Sequence, residues 1–461
     1  MSKILFSIIV FLILLGVFGN AFSASYVHSN IGNLAYVLAL GIDVGEKSKL
    51  KISAQFSKTA IFTPGSGSSS EDSNSMVLVS GEADSLFSGL NLLNSYIGKE
   101  INLSHCSVII FSQEFAQQGI YNEILSLINN EQLQPSANLV ISTCDAYDYL
   151  NNSTPNLEKM TVKYYETFAI TSRFTGYISN ISIGEFYDLL VTDGPSPTAI
   201  LGGLNSTTRK ELEESKSKDS GSSSQTSGGN SGGSSSGGNS GSSGSDSGGS
   251  SGETNSQQSS DSSPDAVINP EDLIAGSSSV AGNRGSENIG IAVFKNDKFC
   301  GELTATESIC HLLIENNVDS CIVSVDSPIT ENEKIELRLV PSKKSKVTAY
   351  IENNVPHINI NLSLDADIMT LQNNENYQSS EILNKISDSA KQYMEQQIND
   401  YLNKVCKKYG VDIDKFYAKA LGHFATIPEW EIFNWEEKIK NAEFDINVDI
   451  IVISSVLITE T

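Results

Sequence analysis

The sequence predicts a multi-domain α+β protein: a mixed N-terminal α/β domain and a C-terminal antiparallel sheet packed against a long helix, separated by a disordered Ser/Gly tract. Three observations lead to this class. Helical and strand patterns alternate before residue 205, whereas strand patterns follow one another after residue 288. An amphipathic pattern from Ser379 to Lys408 then leads into an alternating strand from Phe444 to Ile453, which needs partners earlier in the chain.

The expected organisation has four parts. They are an export signal or membrane anchor at 1–24, the N-terminal α/β domain at 25–204, a disordered Ser/Gly-rich linker or insertion at 205–287, and the C-terminal α+β domain at 288–461. A chain of 461 residues exceeds what one hydrophobic core usually serves, which favours several domains.

The first part is predicted from an apolar run. Ile4 to Gly19 consists almost wholly of apolar and small residues after a single Lys3. Ala21 to Ala24 supplies the small residues that a signal peptidase prefers. The run is near the lower length limit for spanning a bilayer, so the sequence leaves a cleaved signal and a retained anchor both open.

Alternating patterns define the N-terminal domain. Ala35–Asp43 and Lys49–Phe56 are predicted to pair as a hairpin. The other predicted elements are a helix at 81–97, a strand at 103–111, helical spacing at 113–130 with a bend at Gly119, a strand at 138–143, a helix capped by Asp145, and a helix at 183–190.

Composition changes abruptly at about residue 205. The following stretch, to about residue 285, is mostly Ser, Gly, Asn and charged residues. Because it has almost no apolar side chains to bury, we expect a flexible coil whose span is on the order of 50 Å. Such a coil can join two modules or extend from the surface as an insertion.

Short strands dominate the C-terminal domain. A hairpin is predicted at 290–298 and 299–303, then a short helix at 306–315 and strands at 320–325, 334–341, 345–352 and 357–367. The last of these alternates Ile and Leu with Asn, Ser and Asp, which predicts one buried and one wet face.

The long helix is predicted to pack across this sheet through one apolar stripe. The stripe comprises Ile382, Ile386, Ala390, Tyr393, Ile398, Tyr401, Leu402 and Val405. Gly410 is expected to end the helix, and Asp412 to cap a second one that runs through Phe424.

Charge and cysteine usage exclude several function classes. The net charge of −25, without a Lys or Arg cluster, predicts no nucleic-acid partner and disfavours adsorption to anionic lipid. Any membrane association would therefore use apolar insertion or a covalent lipid. The six cysteines show no Cys-x-x-Cys pair or metal-ligand spacing, so buried free thiols are the preferred interpretation.

The search for catalytic motifs finds no constellation to support an enzyme. The five histidines, His28, His105, His311, His357 and His423, lack accompanying hydrolase or zinc-protease motifs. Acidic pairs such as Glu429 with Glu431, or Glu436 with Glu437, could in principle hydrolyse a sugar, but a solvated helix face explains them better.

Trp430 and Trp435 are interpreted as core residues rather than a ligand platform. No catalytic, cofactor-binding or metal residue is predicted, no cofactor is expected, and a ligand-binding site stays unknown.

Several segments, taken in order, resemble one known family. They are Leu40–Asp43 followed by a strand, His105–Gly119, Gly290–Gly301, the long helix, Asp412–Gly422, and Pro428–Trp435 before the final strand. Together they resemble the Ger(x)C family, the C subunits of bacterial spore germinant receptors. The resemblance rests on this collinear order and covers nearly all the predicted structured residues.

This resemblance implies a non-enzymatic, extracytoplasmic subunit on the outer face of the spore inner membrane, working with integral-membrane germinant receptor subunits. Members usually carry a lipobox cysteine directly after the signal segment, whereas the first cysteine here is Cys106. The alternative hypothesis is a secreted or wall-associated binding module that uses the Ser/Gly tract as a stalk.

Overall fold

The computed structural model describes residues 33–57, 76–153, 161–220, 273–280, 282–330, 332–370 and 379–453. The predicted export segment at 1–24 and the greater part of the predicted Ser/Gly linker lie outside these residues.

A mixed nine-stranded sheet organises the N-terminal region. Its strands are β1 (Leu34–Val44), β2 (Leu50–Ser57), β3 (Met76–Ala83), β4 (Glu100–Asn102), β5 (Val108–Ser112), β6 (Asn138–Ser142), β7 (Thr198–Leu204), β8 (Ser286–Lys295) and β9 (Lys298–Leu303). The spatial order is β3-β2-β1-β5-β6-β7-β8-β9, with β4 beside the start of β1. The four central strands are parallel, and the predicted hairpin of β1 and β2 is confirmed.

Helices cover both faces of this sheet. They are α1 (Leu86–Ile97), α2 (Gln113–Gln118), α3 (Tyr121–Ile128), α4 (Ala146–Asn151), α5 (Thr161–Glu166), α6 (Phe168–Thr175), α7 (Ile183–Val191) and α8 (Ser206–Ser220). Strand β5 shows the consequence, since Ile109 packs in the core that includes α1 to α3 and Ile110 in the core that includes α4 to α6. A strand that is buried on both sides needs a continuous apolar run.

Several elements differ from the sequence prediction here. The strand expected at 103–111 begins only at Val108, and β3, α5 and α6 were not predicted. The helix expected from Gly81 begins only at Leu86, because Ser85 forms a capping box with Ser88. Gly81 lies instead in β3, where its missing side chain leaves room for Leu92 and Leu93 of α1. Strand β7, a fully buried strand with two glycines, was likewise not predicted.

The predicted linker is structured at both ends, which corrects its expected boundaries. At one end, Asn205 Oδ1 accepts the Thr208 amide at 2.8 Å where α8 begins. At the other end, Glu287 Oε1 accepts the amides of Gly276 at 2.6 Å and Ser278 at 3.3 Å. The two ends meet, since the Asn205 amide donates to the Gly285 carbonyl at 2.8 Å.

Residues 288–303 were expected to open the C-terminal domain, but together with 286 and 287 they complete the N-terminal sheet. Strand β8 pairs antiparallel with β7, and β9 pairs back onto β8. Adjacent antiparallel strands extend each other's ladder of backbone hydrogen bonds, which places this hairpin at the sheet edge. The Ser/Gly tract therefore connects two neighbouring strands of one sheet.

The C-terminal region is built on a second sheet, of order β10-β11-β12-β13. Its strands are β10 (Cys321–Asp326), β11 (Lys334–Glu352), β12 (Val355–Ile368) and β13 (Glu443–Ile453). The predicted strands at 334–341 and 345–352 form one strand, β11, with register shifts between Pro341 and Lys346. The expected antiparallel pairing holds for β10 to β12, whereas β13 runs parallel to β12 after a helical crossover.

The helices of this region are α9 (Ala305–Ile314), α10 (Ser380–Leu402), α11 (Tyr417–Ala420), α12 (Ile427–Phe433) and α13 (Trp435–Lys438). A π-helical segment, Asn403–Tyr409, continues α10 to Gly410, whose left-handed backbone ends it as predicted. Ile386, Ile398 and Tyr401 of the predicted stripe are fully buried. The long helix packed on a sheet confirms the predicted α+β class.

Helix α10 also protects the outer edge of β13. The Ser387 hydroxyl donates to the Ile450 carbonyl, and the Val448 amide donates to Glu395 Oε1 at 3.2 Å. An unpaired strand edge is a template for aggregation, and these side chains occupy two of its backbone groups.

Candidate functional site

The histidines do not converge on one place. His28 lies outside the described residues. His105 lies edge-on against Tyr36, and His357 stacks on Tyr350. The His423 Nε2 lies 2.8 Å from the Ala349 carbonyl oxygen. Among the four histidines that the structure describes, only His311 belongs to a buried polar cluster.

That cluster joins three elements of the C-terminal region. Asp414 Oδ1 lies 2.8 Å from His311 Nδ1, and Asp414 Oδ2 accepts the Tyr401 hydroxyl at 2.7 Å. The exposed fractions of His311, Asp414 and Tyr401 are 6% or less. Because a substrate could not reach these atoms, the cluster ties α9 and α10 to the loop before α11 rather than forming a catalytic triad.

Asp412 forms a second buried centre two residues earlier. Its Oδ1 accepts the Phe416 amide at 3.0 Å, and its Oδ2 accepts the Tyr417 amide at 2.7 Å and the Trp435 Nε1–H at 3.0 Å. Asp412 thus holds the start of a helix, as predicted, but the N-cap residue itself is Phe416, and the helix expected to run through Phe424 is the single turn α11 followed by a 3-10 turn. Burial raises the pKa of Asp412 to about 7, although these three donors favour the charged form.

The N-terminal region contains a counterpart at the C-terminal end of β1. Asp43 accepts the Ala146 amide at 2.6 Å and the Tyr147 amide at 3.1 Å, at the start of α4. Burial raises the pKa of Asp43 to about 6. Each region thus uses one buried carboxylate to fix two consecutive amides at a helix start.

The tryptophans lie in the core, as predicted. Trp430 and Trp435 are 5% and 3% exposed, and their rings stack 5.6 Å apart. The acidic residues around them are exposed, and Glu429 and Glu437 accept hydrogen bonds from Ala425 and Asn434 near helix starts. The interpretation as a solvated helix face therefore holds for them.

All six cysteines are free thiols, four of them buried. Burial raises the pKa of Cys106 and Cys321 to about 12, and that of Cys144 and Cys300 to about 11. Such thiols are poor nucleophiles because little thiolate is present at neutral pH. Within the described ranges, no group of three His, Cys, Asp or Glu side chains is placed to hold a metal ion.

The surface offers a different kind of candidate, an exposed apolar pair on α6. Ile170 and Phe174, one helical turn apart, are 62% and 56% exposed. We call these two residues the α6 pair. Helix α6 lies where the two sheets meet, since the Arg173 carbonyl accepts the Asp319 amide at 2.7 Å just before β10.

Other contacts also join the two regions. The Ser196 amide donates to the Asp412 carbonyl at 2.8 Å, and Tyr177, just after α6, packs against the core cluster that includes α9 and α10. Ile291 and Val293 of β8 belong to the same core cluster as α9 and α10. A partner bound at the α6 pair would therefore touch the seam between both sheets.

Sequence reasoning found Asp412 from its position after Gly410, but it missed the partners of Asp414. His311 precedes Asp414 by 103 residues, and Tyr401 lies on another element. Nothing in local spacing marks such a cluster. The α6 pair was also missed, because residues 161–175 were not predicted to be helical.

Two family profiles match the chain in order. The profile described as "Spore germination protein N-terminal domain" matches residues 28–202, and "Spore germination B3/ GerAC like, C-terminal" matches residues 289–455. The chain is also similar to a solved structure titled "Crystal Structure of the GerBC protein", with 13% identity and a TM-score of 0.48 over 90% of this chain and 97% of that chain. No curated protein matches the chain.

Proposed function

The chain belongs to the Ger(x)C family of spore germination proteins, and we propose that it is a non-enzymatic, extracytoplasmic germinant receptor subunit that supports nutrient-triggered germination by docking on integral-membrane subunits. The observation that carries this proposal is the ordered match of both family segments, at 28–202 and 289–455. No nucleic acid is proposed as a partner, since the chain carries a net charge of −25.

Membrane attachment is proposed through the apolar run at 4–19, on the outer face of the spore inner membrane. Among the described residues, no helix is both long and apolar enough to cross a bilayer. Fractionation tests this location: recovery in the spore inner membrane supports it, whereas recovery in the vegetative wall or medium would favour the stalked binding module.

We place the docking surface at the α6 pair. Exposed apolar side chains at helical spacing are typical of surfaces that a partner covers. The location at the seam would let one partner act on both sheets, because it would contact residues tied to both, such as Arg173 beside β10.

The double substitution Ile170→Ser with Phe174→Ser tests this docking surface. Both side chains are more than half exposed, so the fold should persist. We expect the variant to lose co-purification with the membrane subunits from detergent-solubilised spores and to germinate as slowly as a strain without the gene.

The matched control is Tyr121→Ser on α3, another exposed apolar position at 41%. It should retain both co-purification and germination. Normal co-purification of the double variant would refute the α6 pair as the docking surface. Normal germination after deletion of the gene, in a strain without redundant receptors, would refute the receptor function itself.

A further inference from the structure

An open groove of about 510 Å³ lies beside β4, between α1 and the turn after α3. Its floor is apolar, formed by Leu90, Ile101 and Leu103, which are 7% exposed or less. Phe87 stands on the wall with 48% of its surface exposed. The volume falls within the range of small-molecule sites, which is about 300–1,000 Å³.

Three carboxamides in this groove are held in a fixed orientation. Asn94 Oδ1 accepts the Ile101 amide at 2.7 Å, and Gln132 Oε1 accepts the Leu103 amide at 3.1 Å. Asn130 Oδ1 accepts the Gln132 amide at 2.8 Å. A backbone N–H can only donate, so the oxygen of each carboxamide is fixed as the acceptor and its NH₂ group is directed elsewhere.

These NH₂ groups make the groove rich in donors. In the described part of the chain, none of the three has a hydrogen-bond partner. Asn91 and Asn129 add two exposed carboxamides to the same lining. Donors without partners favour ligands that carry carbonyl oxygens, which accept and never donate.

The lining also excludes two other ligand classes. It contains Glu131 but neither Lys nor Arg, so carboxylates and phosphates lack a counter-charge. An added β-strand is disfavoured as well, because the outward amides of Ile101 and Leu103 on this edge already bind side-chain oxygens.

We infer that this groove binds an uncharged acetamido sugar. The acetamido carbonyl would accept from the oriented NH₂ groups, its methyl group would meet the apolar floor, and the Phe87 ring would cover the apolar face of the sugar. A free monosaccharide and a sugar unit within a glycan share this chemistry. The inference goes beyond the docking proposal and does not depend on it.

The test uses the purified full chain and ligand-observed NMR. The probes are N-acetylglucosamine, its tetramer, glucose and trialanine. We expect N-acetylglucosamine to bind, and binding of the tetramer alone would identify a glycan as the source. Equal binding of glucose, preferential binding of trialanine, or no sugar binding at millimolar concentration would each overturn the inference.

Isosteric variants locate the site. Asn94→Asp and Asn130→Asp keep the oxygen that accepts the backbone amide but replace the NH₂ donor with a second oxygen. Each should weaken N-acetylglucosamine binding by about tenfold while the fold persists. The control Asn122→Asp adds the same charge on exposed α3 outside the groove and should bind normally. Unchanged binding by both groove variants would place the sugar elsewhere.

Discussion

The two sheets of this protein differ in how many of their faces are covered by helices. In the N-terminal sheet, central strands such as β5 are buried on both faces, because helices cover each side. In the C-terminal sheet, β13 alternates between buried and exposed residues, because α10 covers only one side. The first sheet is thus an internal scaffold, whereas the second presents a whole face to its surroundings.

The difference teaches where substitutions can be tolerated. A strand with two buried faces has no neutral position, since each side chain fills a packed core. A strand with one buried face has alternate positions that contribute little to folding and are free to meet a partner. Three predictions test this contrast, in order of decreasing effect.

The largest effect is expected from neighbouring isoleucines. Ile109 and Ile110 are both fully buried, on opposite faces of β5, so Ile109→Ala and Ile110→Ala should each lower the free energy of unfolding by about 2–5 kcal/mol. On β13, Ile450→Ala should cost a similar amount at 4% exposure. Ile451→Ala, at 58% exposure, should cost less than about 1 kcal/mol.

Chemical denaturation of the four variants measures these values. Because all four variants replace Ile with Ala in a β-strand, differences in side-chain size and strand propensity cancel in the comparison. A large cost for Ile451→Ala would show that the exposed face of the second sheet is covered, and the contrast between the sheets would fail.

The second prediction compares the two buried carboxylates. Asp412→Asn would direct an NH₂ group at two donors, the Tyr417 amide and the Trp435 Nε1–H, or else lose the Phe416 bond. We expect a loss of about 2–3 kcal/mol. Asp43 has only two donors, and Asp43→Asn should cost about 1–2 kcal/mol.

These two variants should also differ in their pH dependence. The pKa of Asp412 rises from 3.8 to about 7 on folding, so the folded state retains a proton that the unfolded chain releases within this window. The stability that Asp412 contributes is therefore full below pH 3.8 and is lost as pH rises through about 7. The cost of Asp412→Asn should shrink over that range.

For Asp43→Asn, the cost in stability should likewise shrink as pH rises, but this decrease should end near pH 6, since the pKa of Asp43 is about 6. Denaturation curves recorded from pH 4 to pH 8 measure both windows. Parallel pH profiles of the variant and the unchanged protein would contradict the assigned shift.

The smallest effect is expected at the protected edge of β13. Ser387→Ala removes the hydroxyl that donates to the Ile450 carbonyl and should lower the free energy of unfolding by about 1 kcal/mol. The variant should also aggregate faster, because part of the edge becomes free to pair. Asn384→Ala, exposed on the same helix, is the control and should do neither. Unaltered aggregation would show that other contacts protect this edge.

Sequence patterns predicted the second sheet better than the first. Alternation in β12 and the stripe on α10 are periodic signals, and the structure confirms most of the buried set, including Ile358, Ile360 and Ile398. In the stripe, Ile382 and Tyr393 are only partly buried, and the fully buried Met394 was not predicted. Strand β7 has no period, because every residue from Thr198 to Leu204 is buried. A short run of this kind with two glycines carries no signal that separates a strand from other buried structure.

The candidate sites depended even more on tertiary structure. A role for Asp412 at a helix start could be predicted from its local position, whereas the groove beside β4 brings together side chains such as Asn94 and Gln132 from distant segments. The orientation of those carboxamides follows from hydrogen bonds to Ile101 and Leu103, which no spacing reveals.

The hydrogen bond between Asn205 and Gly285, where the two ends of the Ser/Gly tract meet, bears on how far the length of that tract can vary. Both ends of the Ser/Gly tract are anchored at neighbouring strands, with the Asn205 amide 2.8 Å from the Gly285 carbonyl. For a flexible connection of the kind its composition predicts, each doubling of length costs only about 0.6 kcal/mol. Insertions or deletions in this segment should therefore change the length of the protein without changing the distance between the two sheets.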